Sequence, residues 1–301
     1  MLLLTGATGL VGGALLRRLT AREEPVRCLV RDPRRLGPER VRVQIALGDL
    51  ADPPSFRNAL RGVSTVVHLA AAIRDQRGGS IEELNGIATW RMVQAAERAG
   101  VEHFVFFSSL GASSHDRTRV LRSKALAERA VLASDVRHTV FAPSIVYAPG
   151  DRLTTLLERL AMVSPVMPIG GRGDAGYQPI WAEDVADCVM RVLNAPAGAF
   201  GGGSSGHERF ELAGPQTLTH REIVELVLLA AGRTRRTVAV PQSIVHRVLR
   251  AAEVLMKSRA PATWDEAELL QVSMASRGGC ADTEGLGVRP RTMAAVLGVA
   301  D

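Results

Sequence analysis

The chain has 301 residues, 46% hydrophobic and 23% charged, with a net charge of +6 and only 4% aromatic residues. That balance fits an ordinary globular protein with room for one or two cored domains and excludes extensive disorder. The arginines are scattered rather than blocked and aromatics are few, so a base-stacking surface is excluded and no nucleic-acid partner is expected. Cys28, Cys188 and Cys280 stand far apart with no CxxC spacing. Neither a disulfide framework nor a metal site is expected, and a reducing, cytoplasmic setting is the simpler reading. The apolar opening MLLLTGATGL has no basic leader and is broken by glycine at once, unlike a signal peptide. No uninterrupted apolar run is long enough to span a bilayer.

Along the chain, short apolar runs alternate with amphipathic segments. Strands are predicted over 1–5, 26–30, 41–46, 64–71, 103–109 and 137–143, and helices over 11–22, 54–62, 80–100 and 119–134. Near-continuous apolar strands alternating with helices require a parallel sheet covered on both faces. Right-handed crossovers then give an α/β fold with a doubly wound parallel sheet, the Rossmann arrangement. After residue 147 the rhythm changes. A helix is predicted over 152–163, then a glycine-rich loop, a short strand and a helix opening at Ala182, Glu183 and Asp184. GGGSSG (201–206) reads as a flexible surface loop. A strand over 209–214, a helix over 219–232, a strand over 236–241 and a helix over 243–257 follow. Thr219 and Glu222 have capping-box spacing at one of these helix starts. The expected division is a dinucleotide-binding domain over 1–147 and a smaller C-terminal α/β lobe over 148–301, partly interleaved with the first.

The glycines of TGATGLVG (Gly6, Gly9, Gly12) lie between a predicted strand and a predicted helix. Glycine there lets the backbone turn tightly and approach a ligand, and the helix start offers free N–H groups to a pyrophosphate. Thr8, Leu10 and Val11 belong to the same loop and helix opening. The second strand ends in LVRDPRR. An acidic residue at that end would hold a ribose 2′-hydroxyl. Arg31 stands first instead, with Arg34 and Arg35 behind it, and a guanidinium there suits a 2′-phosphate. NADP(H) is therefore favoured over NAD(H), although Asp32, one place late, still suits a ribose. In GDLAD, Asp49 is placed to accept from an adenine amino group and Leu50 to lie against its face. In HLAAAI, Leu69 and the small Ala70 and Ala71 let backbone come close to the cofactor. His68, inside the apolar strand, reads as a packed histidine. Ser108, at the end of an apolar strand, either bonds backbone or meets the cofactor.

Taken in order, TGATGLVGGALLRRL, GDLAD, VVHLAA, ELNGIATWRMVQAA, HFVFFSS, RSKALAE and YQPIWAEDVA resemble the short-chain dehydrogenase/reductase superfamily, of the extended and atypical kind, over nearly the whole chain. FELAGPQTLTHREIVELVLLAAG and LGVRPRTMAAVLG look more closely like the atypical branch that includes the NADPH-binding accessory subunit of respiratory complex I. The resemblance implies hydride chemistry on a small carbonyl, quinone or sugar-nucleotide-like substrate. It places Asn85, Pro143, Ile145 and Val146 around the cofactor, the last three beside the nicotinamide. It also implies a tyrosine four residues before the lysine of RSKALAE, as general acid/base, and a partner serine. Those positions hold Val120 and Leu110, which cannot exchange protons.

Lys124 then has three readings: a clamp on the ribose hydroxyls, a general base after desolvation, or a solvated surface charge. Tyr177, in a stretch that borders the substrate pocket in the family, is a candidate to replace the lost tyrosine from another direction. Two functions stay open, an NADP(H)-dependent oxidoreductase and a non-catalytic NADPH-binding module serving as redox sensor or structural subunit. The basic amphipathic segment 243–257 is read either as docked on its own domain or as a peripheral contact to anionic lipid or a protein.

Overall fold

The computed structural model describes residues 1–76, 78–200, 207–256, 260 and 262–299. The loop 201–206 and Lys257, the last residue of the final predicted helix, lie outside the described residues. In chain order the strands are β1 (Leu2–Thr5), β2 (Val26–Val30), β3 (Gln44–Leu47), β4 (Thr65–His68), β5 (His103–Phe107), β6 (Arg137–Pro143), β7 (Val146–Tyr147), β8 (Val166–Gly170), β9 (Gly176–Tyr177), β10 (Ile180–Trp181), β11 (Glu208–Leu212), β12 (Leu218–Thr219) and β13 (Arg236–Val240). The helices are α1 (Leu10–Ala21), α2 (Pro53–Arg57), α3 (Ala88–Arg98), α4 (Arg119–Leu132), α5 (Arg152–Val163), α6 (Ala182–Leu193), α7 (His220–Ala230), α8 (Gln242–Met256), α9 (Trp264–Leu269), α10 (Ala281–Gly285) and α11 (Met293–Leu297).

Seven strands form one parallel sheet in the order β11-β6-β5-β4-β1-β2-β3. The order reverses between β1 and β4, which opens a crevice at the strands' C-terminal ends. Alternation along each strand divides the apolar side chains between two cores. Leu2, Leu4, Cys28, Val67 and Val105 pack on one face with α1 and α6. Leu3, Leu29, Val66, Phe104 and Phe106 pack on the other with α3 and α4. A third core, containing Tyr147, Tyr177, Met167, Ile223 and Met293, lies in the C-terminal half. That half also completes the main sheet, because β11 pairs with β6. Arg18 ties α6 to α1, its Nε donating to Asp187 Oδ1 at 2.7 Å and its Nη1 to Glu183.

Several boundaries differ from the expectation. The strand predicted over 41–46 begins later, at Gln44, because Pro33–Val41 are 3₁₀ turns that meet at Gly37 with φ +62°. The helix predicted over 54–62 is α2 followed by a 3₁₀ turn, Asn58–Leu60. The helix predicted from residue 80 carries a π-turn, Glu83–Ile87, before α3. The strand predicted to residue 71 stops at His68, where the chain peels off the sheet. The capping box is formed, with Thr219 and Glu222 satisfying each other's backbone N–H groups.

His68 is packed as expected. Its ring nitrogens lie 2.9 Å from Thr5 Oγ1 and 3.1 Å from Thr89 Oγ1. Burial pushes its pKa down to about 3, and that of His103 also to about 3. The unfolded chain takes up both protons near pH 6.5 while the fold refuses them, so stability is complete above that pH and declines below it. Each histidine contributes a slope of about 1.4 kcal/mol per pH unit. Thermal unfolding between about pH 6.5 and pH 5 is expected to show a falling midpoint, and His68→Gln to flatten the slope. An equal slope in the variant would contradict the assignment.

Candidate functional site

At the end of β1 the chain turns at Gly6, whose φ is +74°, a region open chiefly to glycine. A Cβ on Gly6 would lie 2.6 Å from the Ala70 nitrogen, and one on Gly12 would lie 2.1 Å from the Gly6 oxygen. Glycine at these two positions therefore sets how closely α1 seats on the turn and how closely the turn meets the end of β4. Gly9 caps α1 without a side-chain bond, and no acidic residue stands in the first turn. The N–H groups of Leu10, Val11 and Gly12 have no carbonyl one turn back. They leave an open, positive helix end that suits a pyrophosphate.

The turn forms one end of a cleft of roughly 370 Å³. Of the residues proposed from sequence, Gly6, Thr8, Gly9, Arg31, Asp49, Leu50, Leu69, Ala70 and Ala71 all line it. Gly6, Thr8 and Gly9 come from the β1 turn, Arg31 from the end of β2, Asp49 and Leu50 from the loop after β3, and Leu69–Ala71 from the loop after β4. Asp32, Arg35, Gln76 and Leu84 line it as well. Arg31 Nη1 donates to Gln76 Oε1 at 2.9 Å, which fixes the guanidinium in the cleft wall. Arg34 is not brought to the wall. It is 83% exposed, and its Nε donates to Asp32 Oδ1 at 3.1 Å. That bond holds the Asp32 carboxyl below the usual carboxylate range. Arg35 takes the place expected of Arg34. Gln76 carries no local sequence signal, since it reaches the cleft only through the path of the loop after β4. Asp49 Oδ1 accepts from the Ala51 nitrogen at 3.0 Å, which orients the carboxylate.

Leu10, Val11 and Gly12, in the first turn of α1, and Asn85, in the π-turn before α3, are not in this wall, and the other candidates stand along the ends of β5 and β6 outside it. Lys124, on α4, donates from Nζ to the Phe107 carbonyl at 2.6 Å. The ammonium also lies 5.4 Å from the Phe106 ring centroid. Burial lowers its pKa to about 8, with the nearby Glu128 opposing that shift. Ser108 Oγ donates to Glu128, which also accepts from Arg209 Nε at 2.9 Å. Asn85, in the π-turn, has its amide committed to the protein. Its Oδ1 accepts from the Ala72 nitrogen at 2.7 Å, and its Nδ2 donates to the Ala72 carbonyl at 2.8 Å and to Ser123 Oγ at 3.0 Å. It positions the loop after β4 and α4 against each other. Pro143 ends β6 and its carbonyl accepts from the Leu110 nitrogen at 2.9 Å. Ile145 and Val146 follow, joined to β10 through the Ile145 carbonyl and the β7–β10 pairing.

Leu110 and Val120 are buried apolar side chains. Tyr177 lies in the third core at 1% exposure, away from the cleft. Its hydroxyl and that of Tyr147 have no partner among the described residues. Burial pushes both hydroxyls above the usual tyrosine range, so neither is poised to exchange a proton near neutral pH.

A parallel sheet with its reversal at β1/β4, a glycine turn feeding a helix N-terminus and a cleft across the strand ends define a dinucleotide-binding α/β protein. Residues 6–196 match the family described as NAD(P)H-binding. The chain belongs to that family, within the atypical short-chain dehydrogenase/reductase and NAD epimerase/dehydratase superfamily. It is 27% identical to NADH dehydrogenase [ubiquinone] 1 alpha subcomplex subunit 9 of Arabidopsis thaliana, over 85% of this chain and 64% of that protein. It is 32% identical to a ceramide reductase of Caulobacter vibrioides, over 64% of this chain and 61% of that protein. In both cases the match spans under two thirds of the relative's length. An NAD(P)H azoreductase of Xenophilus azovorans is 29% identical over 80% of this chain and 77% of its own. In fold, the chain is similar to a nucleoside-diphosphate-sugar epimerase of Staphylococcus aureus, with TM-score 0.75 at 20% identity, covering 98% of this chain and 99% of that one.

Since a Cβ at Gly12 meets backbone, Gly12→Ala is expected to move α1 off the turn. Overpacking of this kind costs about 1–3 kcal/mol, and dinucleotide binding should weaken with it. Wild-type unfolding and wild-type NADPH titration in this variant would contradict the packing argument.

Proposed function

We propose that the protein is an NADP(H)-dependent oxidoreductase acting on a small carbonyl, quinone or sugar-nucleotide-like substrate, with Lys124 as the clamp on the nicotinamide ribose. The observation that carries this reading is the Lys124 ammonium. It is anchored to the Phe107 carbonyl at the strand ends beside the cleft, and an ammonium has three donors, so two remain for hydroxyls. The residues present fit the cofactor, because the glycine turn forms a cradle that a Cβ would fill and the helix end above it carries no acid. Arg31 and Arg35 in the cleft wall favour a 2′-phosphate over a bare ribose.

When bound, the dinucleotide supplies or accepts the hydride. This chain's own part is to hold and orient it. Gly6 and Gly9 would admit the phosphates, Asp49 and Leu50 would take the adenine, and Leu69–Ala71 would let backbone come close to the cofactor. No tyrosine stands at the cleft, so the proton of the reaction comes from water, the substrate or Lys124. The reductases among the relatives support this reading. A non-catalytic NADPH-binding module, a sensor or a structural subunit, is favoured by one observation: the two positions expected to exchange protons are buried and apolar. The complex I subunits among the relatives support that alternative.

The two readings separate in one experiment. A reductase oxidises NADPH faster when a panel of carbonyls and quinones is added, whereas a module leaves the rate at the buffer level with every acceptor. Nicotinamide fluorescence is expected to show tighter binding of NADPH than of NADH. Replacing Arg31 and Arg35 by alanine should remove about tenfold or more of that preference. An unchanged preference would rule out the 2′-phosphate assignment. The clamp also has a pH signature. Lys124 is charged below about pH 8, so its contribution to affinity is present below that pH and is lost as pH rises through it. Lys124→Met should bind NADPH weakly at every pH. Wild-type affinity in that variant would overturn the clamp and leave Lys124 a structural lysine bonded to the Phe107 carbonyl.

A further inference from the structure

α8 carries a second set of apolar side chains on its outward side. None of its residues is buried. Its docked side holds the half-buried Val245, Leu249 and Ala252 together with Glu253. The His246 ring packs against Trp264 with centroids 4.4 Å apart, and Glu253 Oε1 accepts from the Trp264 nitrogen at 2.5 Å. At the helical repeat, Ile244, Val248, Ala251 and Leu255 form a single line on the opposite side. That line faces solvent, with Val248 61% and Leu255 83% exposed. Val254 and Met256 are exposed beside it. A continuous apolar stripe on the outside of a helix marks an interaction surface.

The charge around the stripe indicates what covers it. Arg247 borders it along one edge, and Arg250 lies farther round the same flank. Among the described residues, Arg247 Nε donates only to the Ser243 carbonyl of its own helix. Arg250 is 62% exposed and meets Glu253 only at 3.6 Å. Glu253 is the one acidic residue of the helix, and it is turned toward Trp264. The outward surface of α8 thus combines apolar side chains with guanidinium groups and presents no carboxylate. A protein partner would need carboxylates placed at both arginines. An anionic bilayer offers phosphates everywhere, with an acyl layer at the depth the stripe would reach. Arginine stems can lie along the apolar layer while their heads stay at the phosphates. Among the described residues no helix is long and apolar enough to cross a membrane, so such contact is peripheral.

We infer that α8 is a membrane-surface element that seats the line from Ile244 to Leu255 in the interface of an anionic bilayer, with Arg247 and Arg250 at the lipid phosphates. This holds independently of what happens in the cofactor cleft. The test is sedimentation of the full chain with vesicles of phosphatidylglycerol in phosphatidylcholine, beside vesicles of phosphatidylcholine alone. The protein is expected to sediment with the anionic vesicles and to be released by salt. Val248→Asp with Leu255→Asp should weaken binding about tenfold or more. Arg247→Gln with Arg250→Gln should weaken it and remove the salt dependence, and thermal unfolding of both variants should match wild type. Wild-type protein that stays in the supernatant with anionic vesicles at low salt would overturn the inference, as would binding that neither variant changes. A solution dimer split by the aspartate variant, without vesicle binding, would also overturn it and assign the stripe to a second copy.

Discussion

The close approach of backbone to backbone at Gly6 and Gly12 is the constraint on which the rest of the molecule depends. With only hydrogens at these two positions, α1 seats directly on the turn after β1, and the turn rests on the start of the loop after β4. That seating aims the open end of α1 across the strand ends. It also fixes the outer face of α1, where Arg17 and Arg18 meet Glu183 and Asp187 of α6. These ion pairs are partly solvated, so they add little net stability. Their effect is register: they hold an element from the second half of the chain against the first helix.

In the main sheet the two halves of the chain on either side of residue 147 interleave. β11 lies beyond that point, yet it pairs with β6 and carries Phe210 into the core shared by β1, β2 and α6. The separate third core gathers what the sheet does not use, including both tyrosines. A tyrosine moved into that core keeps its ring area buried but loses access to the cleft and to water. Neither tyrosine therefore stands at the cleft, and both hydroxyls are held away from it.

Much of the site was legible in the sequence because it is built from backbone. Gly6, Gly9 and Gly12, the alanines after His68 and the Asp49 loop are short local patterns, and each strand–loop–helix unit delivers its pattern to the same sheet edge. Arg31 was legible for the same reason. Arg34 and Arg35 were not separable, since the 3₁₀ turn after Asp32 decides which of the two points inward, and the bond from Arg34 to Asp32 settles it. Gln76 and Leu84 reach the cleft only through the course of a long loop. Asn85 was legible as a motif, but its bonds to Ala72 and Ser123 make it a brace between loop and helix, which spacing does not reveal.

By itself, the sequence determined the α/β alternation, the glycine turn and the loss of proton-exchanging side chains at residues 110 and 120, because each depends on residue type at a local position. Tertiary structure decided which arginines face the cleft, that Tyr177 is sealed in a core and that Lys124 is anchored to Phe107. It also decided which side of α8 is docked. Those outcomes depend on the order in which distant strands pair and on what packs against each face, and no local pattern encodes them.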